Sequence, residues 1–155
     1  MNKKGMPPMA FTTRSTVGKL LQLTNDIVIA NGNDMTVGRA LWDTGASGSC
    51  ISKDIVSKLK LIPTGMCTVK TPSGIADVYT YLVNIVLPNS VLIKDVRVME
   101  SEIGNQGLGA LIGMDIITLG DFALSNKDGK TTFSFQIPSQ TEIDFVEEIK
   151  KHNKS

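Results

Sequence analysis

The 155-residue chain is 41% hydrophobic and 20% charged, the make-up of one ordinary globular domain rather than of a disordered or membrane-embedded chain. Its 16 Lys and Arg against 15 Asp and Glu leave a formal charge of +1, which supplies no electrostatic drive toward nucleic acid or an anionic membrane, so neither is expected as a partner. No apolar run approaches the ~20 residues that span a bilayer, and the opening Met1-Asn2-Lys3-Lys4-Gly5-Met6-Pro7-Pro8 lacks the apolar stretch of a signal peptide, so a cytoplasmic location is the default expectation.

Residues 1–15, with Gly5, Pro7 and Pro8 and no sustained period, read as a flexible leader, and folded structure is expected to begin near Thr16. From there β signals dominate: Thr16 to Leu23, Asp26 to Ala30 and Met35 to Trp42, with Asn31-Gly32-Asn33-Asp34 as the turn between the last two. Three short strands in succession point to an antiparallel β domain. Ser52 then caps a short helix near 53–60 whose Ile55, Val56 and Leu59 share a face, ending before Pro63.

Met66 to Lys70 and Val78 to Leu87 read as the arms of a long hairpin turning at Thr71-Pro72-Ser73-Gly74. Another strand is expected from Val91 to Met99. A loop with Gly104, Gly107 and Gly109 leads to the apolar run Ala110-Leu111-Ile112-Gly113-Met114-Asp115-Ile116-Ile117, with a short helix near 115–119 closed by Gly120. Phe122 to Ser125 and Thr131 to Ile137 flank the turn Asn126-Lys127-Asp128-Gly129. The core domain is expected to span 16–138. Residues 139–155 form a helical extension, in which Thr141 and Asp144 fit a capping box and Lys150 and Lys151 suit the helix end. Its Ile143, Val146 and Ile149 line one face, which fits a helix docked on its own sheet ahead of one packed across a dimer.

The chemistry concentrates at Ala40-Leu41-Trp42-Asp43-Thr44-Gly45-Ala46-Ser47-Gly48-Ser49. A carboxylate follows a buried-looking strand and enters a loop of small residues whose N–H groups can approach it. The plainer reading, an Asp capping a turn, is open on these residues alone.

An apolar strand followed by Asp43-Thr44-Gly45-Ala46 resembles the active-site signature of the retropepsin-like aspartic proteases. Such a four-residue pattern arises by chance in on the order of one chain in a hundred of this length. Leu111-Ile112-Gly113 resembles the element that crosses behind the active-site loop in that family, and a flap-like hairpin, with Thr71, Pro72, Ser73, Gly74 and Ile75 at its tip, lies between the two motifs. The resemblance implies a mostly β half-barrel from about Thr16 to Ile137, with Asp43 as the catalytic carboxylate and Thr44, Gly45, Ala46, Leu111, Ile112 and Gly113 as its support. Because only one Asp-Thr-Gly is present, it implies a homodimer with Asp43 of each copy at the two-fold axis, acting as an endopeptidase on a peptide or protein substrate. A catalytically silent dimerisation or peptide-binding module on the same fold is the alternative.

Viral members carry an Asp soon after the signature and an Arg after the later Gly, which pair to brace the loop. This chain has Ser47 and Met114 there, so the brace is expected to be hydrogen bonding or apolar packing, and Asp115 is expected to cap the following helix. The pattern looks closer to bacterial and cellular relatives than to viral ones. The Ala46 side chain has no hydroxyl for the carboxylate, which implies a less acidic activity optimum than in pepsin-like relatives. Tyr79 and Tyr81 read as surface and core residues of the hairpin. Cys50 and Cys67 are expected to be reduced, and neither a metal nor any other cofactor is expected, since two Cys and the lone His152 form no spaced ligand set.

Overall fold

The computed structural model describes residues 5–154. Strands β2 (Thr24–Asn31) and β3 (Asp34–Trp42) form a hairpin about Gly32 and Asn33, in register from Thr24 opposite Leu41 to Asn31 opposite Asp34. After β4 (Cys50–Ser52), the Ser52 Oγ accepts the Ile55 N–H at 3.3 Å and starts helix α1 (Lys53–Lys58), with Asp54 in its first turn and Lys58 in its last. Ile55 and Leu59 are the residues it buries. The expected long hairpin is β5 (Gly65–Thr71) and β6 (Gly74–Leu87), turning at Pro72 and Ser73. Tyr79 is exposed on it and Tyr81 buried, as the sequence reading has them.

Strand β7 (Val91–Ser101) pairs with β6, and β8 (Ala110–Ile112) is inserted between β3 and β4. The resulting order is β2-β3-β8-β4-β7-β6-β5, and β2 also pairs with β6 through Val28–Val86 and Ile29–Ile85, so the sheet closes on itself as a barrel from which the β5–β6 hairpin extends. Ile27, Ile29, Ile51, Ile85, Val98 and Ile112 fill it, each at most 1% exposed. The sheet is mainly antiparallel, as expected, with two parallel pairings that the sequence reading did not anticipate: β8 runs parallel to β3 and β4 runs parallel to β7. Both strands return through loop and helix rather than through tight turns, which permits the parallel pairing.

A second sheet, β1 (Met9–Arg14), β10 (Thr132–Ile137) and β9 (Asp121–Ser125), is antiparallel throughout. Thus residues 9–14, read as leader, are a strand. Phe11 is 2% exposed and packs on Trp42, Phe133 and Phe135 with ring centroids 5.2 to 6.2 Å apart, a long-range burial that local composition does not announce. The opening residues 1–4 of the expected leader lie outside the described residues. The expected strand from Thr16 to Leu23 is absent. Gly18 takes φ +111°, Val17 and Leu21 are exposed, and the segment is instead a loop tied to Thr131 through Leu20 N–H and Gly18 C=O.

Helix α2 (Met114–Ile117) begins one residue earlier than expected, and α3 (Phe145–Asn153) is capped by the Asp144 carboxylate on Glu147 N–H at 3.1 Å, not by Thr141. Nor does α3 dock on the sheet: Phe145, Val146 and Ile149 are each more than 60% exposed and no residue of the helix is buried. Its local capping and charge pattern suffice to form it. No helix among the described residues is long and apolar enough to cross a membrane.

Candidate active site

Strand β3 ends in Trp42, which is 5% exposed and donates its Nε1–H to Asn25 Oδ1 at 3.0 Å. Asn25 in turn donates to Thr13 Oγ1 at 3.2 Å. Trp42 also stacks on Phe122 at 5.6 Å. A large ring fixed on both polar and apolar sides leaves the next residue little freedom, and Asp43 is that residue. Its own N–H donates to Ile112 C=O at 2.9 Å, while its Oδ1 accepts the Gly45 N–H at 2.8 Å. Asp43 is half-buried, with Thr44 and Gly45 exposed beside it. The carboxylate is held rigidly from below and open above.

The structure brings Asp43, Thr44, Gly45 and Ala46 together with Leu111, Ile112 and Gly113. β3 and β8 pair in parallel with Trp42 opposite Ile112, and Met114 N–H donates to Ala46 C=O at 2.7 Å, Asp115 N–H to Ser47 C=O at 3.2 Å. Gly113 is where the two segments cross. A Cβ placed there would lie 2.7 Å from Gly48 O, 2.8 Å from Gly48 C and 2.9 Å from Ala46 O. All three are backbone atoms, so no side-chain adjustment could make room.

The hydrogen-bonded replacement for the viral acid–arginine brace runs through Ser49 and Asp115. Buried Ser49 donates its Oγ–H to Asp115 Oδ1 at 2.7 Å and its N–H to Asp115 Oδ2 at 3.1 Å, and its Oγ accepts the buried Gly113 N–H at 2.9 Å. The expectation that Asp115 caps α2 is therefore corrected. Gly113 holds the N-cap position without a side-chain bond, and Asp115 reaches back across the loop, touching its own helix only through Ile116 N–H at 3.0 Å. Sequence reading missed Ser49, although a Ser following the Asp-Thr-Gly loop and an Asp following the Gly113 element were the available signal.

Thr71, Pro72, Ser73, Gly74 and Ile75 form the exposed tip of the β5–β6 hairpin, with Gly74 at φ +128° and Thr71 Oγ1 donating to Gly74 C=O at 3.0 Å. Among the described residues no hydrogen bond joins this tip to the Asp43 loop. The base of the hairpin does reach it: Cys67 and Thr80 share an open pocket with Gly48, Ser49 and Asp115. Cys50 and Cys67 are free thiols. Burial pushes the Cys50 thiol up, Ser101 opposes this by hydrogen bonding, and the Asp115 and Asp43 carboxylates add to the rise, which keeps it protonated and unsuited to act as a nucleophile at neutral pH. Among the described residues no group of three His, Cys, Asp or Glu side chains could hold a metal ion.

A closed barrel carrying one Asp-Thr-Gly loop, crossed by an apolar-apolar-Gly strand and extended by a long hairpin, is the retropepsin-like half-barrel. Residues 28–118 match the family described as gag-polyprotein putative aspartyl protease, and the chain belongs to that family. Among solved structures it is similar to a retropepsin-like aspartic protease from Rickettsia conorii, with TM-score 0.55 and 13% identity over 84% of this chain and 96% of that one. It is also similar to the EIAV protease complexed with the inhibitor HBY-793, with TM-score 0.50 and 23% identity over 66% of this chain and 89% of that one. At these identities the likeness is one of fold. No match was found among curated proteins.

Proposed function

We propose that the chain is an aspartic endopeptidase whose site is completed by a second copy, the two Asp43 carboxylates facing each other across a two-fold axis. The observation that carries this reading is the setting of Asp43: anchored by Trp42 and Ile112, held by Gly45 N–H at 2.8 Å, and bordered by exposed Thr44 and Gly45 where a second loop could meet it. One such loop per chain supports the two-copy arrangement.

Two carboxylates in contact cannot both ionise cheaply, so the pair shares one proton, an effect for which aspartic proteases are the standard example. The ionised Asp43 takes a proton from a water held between the two. That water oxygen bonds to the scissile carbonyl carbon while the protonated Asp43 hydrogen-bonds to, and gives its proton to, the carbonyl oxygen. The tetrahedral diol collapses as its C–N bond breaks, one proton passing to the leaving nitrogen and one back to the dyad. The Thr44 hydroxyl stiffens the pair across the axis, and Gly45 keeps the approach to the carboxylate clear. The β5–β6 hairpin closes over the bound peptide.

Peptide cleavage by wild type and Asp43→Asn across pH, with the mass in solution, tests this. Turnover by a dimeric wild type and its loss in Asp43→Asn are expected. Equal cleavage by both would end the reading, as would an active monomer at all concentrations. Peptide binding without turnover would favour the silent module.

A further inference from the structure

Helix α3 carries an apolar stripe that no other described residue covers. Phe145, Val146 and Ile149 are exposed on the helix, and Ile143 just before it is exposed with them. A surface helix with such a stripe ordinarily buries it against a neighbour. Most helices in proteins draw their stability from that packing rather than from propensity, and a helix of nine residues has the most to gain from it.

The place of α3 in the fold is fixed by the segment before it. Ser139 Oγ–H and the N–H groups of Gln140 and Thr141 all donate to the Asp121 carboxylate, which ties residues 139–141 to the first residue of β9. Strand β9 is the outermost strand of its sheet, pairing among the described residues with β10 alone. Its Phe122 stacks on Trp42, the residue before Asp43. Helix α3 therefore leaves the fold at the margin of the sheet on which the Asp43 loop rests.

The charges beside the stripe state what can cover it. Acidic Glu147 and Glu148 occupy the first turn and basic Lys150 and Lys151 the last. Glu147 and Lys150, three residues apart, border the stripe on one side, 3.3 Å from each other and each more than half exposed. In an antiparallel pair of identical helices related by a two-fold axis this border faces its own copy with direction reversed, so Glu147 of each lies level with Lys150 of the other. A parallel pair would set like charges level instead. Reversal also places the positive N-terminus of one helix beside the negative C-terminus of its neighbour.

We propose that α3 is part of the homodimer contact, packing antiparallel on α3 of a second copy through Val146 and Ile149, with Glu147 and Lys150 paired across the seam. The inference rests on the two-copy reading of the site, since both contacts share one two-fold axis. At about 14 Å long, α3 is too short to supply the ~800 Å² per partner of a standard interface. It adds to the contact made by the Asp43 loops, and so governs how far the dyad is assembled at a given protein concentration.

The test uses the full chain. In the double variant Val146→Ser with Ile149→Ser, sedimentation equilibrium should show a dimer dissociation constant raised about tenfold or more. Its urea unfolding, at a concentration too low for dimers, should match wild type because neither side chain is buried in the single chain. Peptide cleavage should fall in dilute solution and recover as the protein is concentrated. Glu147→Lys and Lys150→Glu should each dimerise more weakly than wild type, and a mixture of the two should form mixed dimers several-fold above the statistical share, read by native mass spectrometry with one copy tagged. An unchanged dissociation constant in the double Ser variant overturns the seam, and leaves the protease reading standing if the wild-type dimer cleaves. A weakened dimer without preference for mixed dimers also overturns it, since α3 would then sit on the sheet of the second copy. Both effects in a protein that cleaves no peptide uphold the seam and remove the protease reading. A wild type that is monomeric at every concentration overturns both.

Discussion

The Ser49–Asp115 link is open to a direct energetic test, because Ser49 does two jobs with one oxygen. Ser49→Ala removes the Oγ–H bond to the Asp115 carboxylate and strips the buried Gly113 N–H of its acceptor. A hydrogen bond to a charged group contributes about 1.5–3 kcal/mol, and the lower end applies here because Asp115 is exposed. An orphaned buried N–H costs about 1–3 kcal/mol. The expected loss is therefore about 2.5–4.5 kcal/mol. Asp115→Ala leaves the Gly113 bond intact and should cost about 1–2 kcal/mol, and the double variant should fall short of the sum by about 1 kcal/mol because the shared bond is counted once. Urea unfolding at neutral pH, with the slope unchanged between variants, measures all three. A loss below about 0.5 kcal/mol for Ser49→Ala, or full additivity of the pair, would refute the assignment of the brace.

Gly113→Ala forces a Cβ within 2.9 Å of three backbone atoms of the Asp43 loop, so the loop must shift. Overpacking of this kind costs about 1–3 kcal/mol, and a displacement near 1 Å at the site should lower kcat by about a hundredfold, read by denaturation and peptide cleavage together. The Asp121 carboxyl is lowered to about 2 by the Gln140 N–H and the Ser139 hydroxyl, with Gln136 and Thr141 adding to them. Its folded value lies below the unfolded one near 3.8, so its contribution is present above about pH 4 and is lost as pH falls through about 2. Asp121→Asn should accordingly lower Tm by a constant amount from pH 7 to about 4, with the gap closing toward pH 2. A gap that widens in acid would reverse the reasoning. Ala46→Ser supplies a hydroxyl beside Asp43 and should move the acid limb of the pH–rate profile to lower pH. An unmoved limb would deny Ala46 any influence on the dyad.

The barrel strands and α1 were legible because period-two patterning, turn residues and the Ser52 cap are local signals. β1 and the loop from Thr16 to Leu23 were not, since Phe11 becomes core only by meeting Trp42, Phe133 and Phe135, and Val17 and Leu21 find no sheet to join. Helix α3 shows the same division. Its caps and charges predicted the helix, but whether its apolar stripe would be covered depended on where Pro138 and the Asp121 contacts send the chain.

By itself the sequence determined the carriers of the proposed site: Asp43-Thr44-Gly45 after an apolar strand, Leu111-Ile112-Gly113 to cross it, and the hairpin between them. Those are short runs whose chemistry is written in consecutive residues. Only the tertiary structure decided what holds the loop. Ser49 and Asp115 are far apart in the chain and unremarkable alone. The pair acquires its meaning when parallel pairing of β3 with β8 and of β4 with β7 carries distant segments to the same end of the barrel, where burial makes a satisfied or unsatisfied hydrogen bond costly enough to matter.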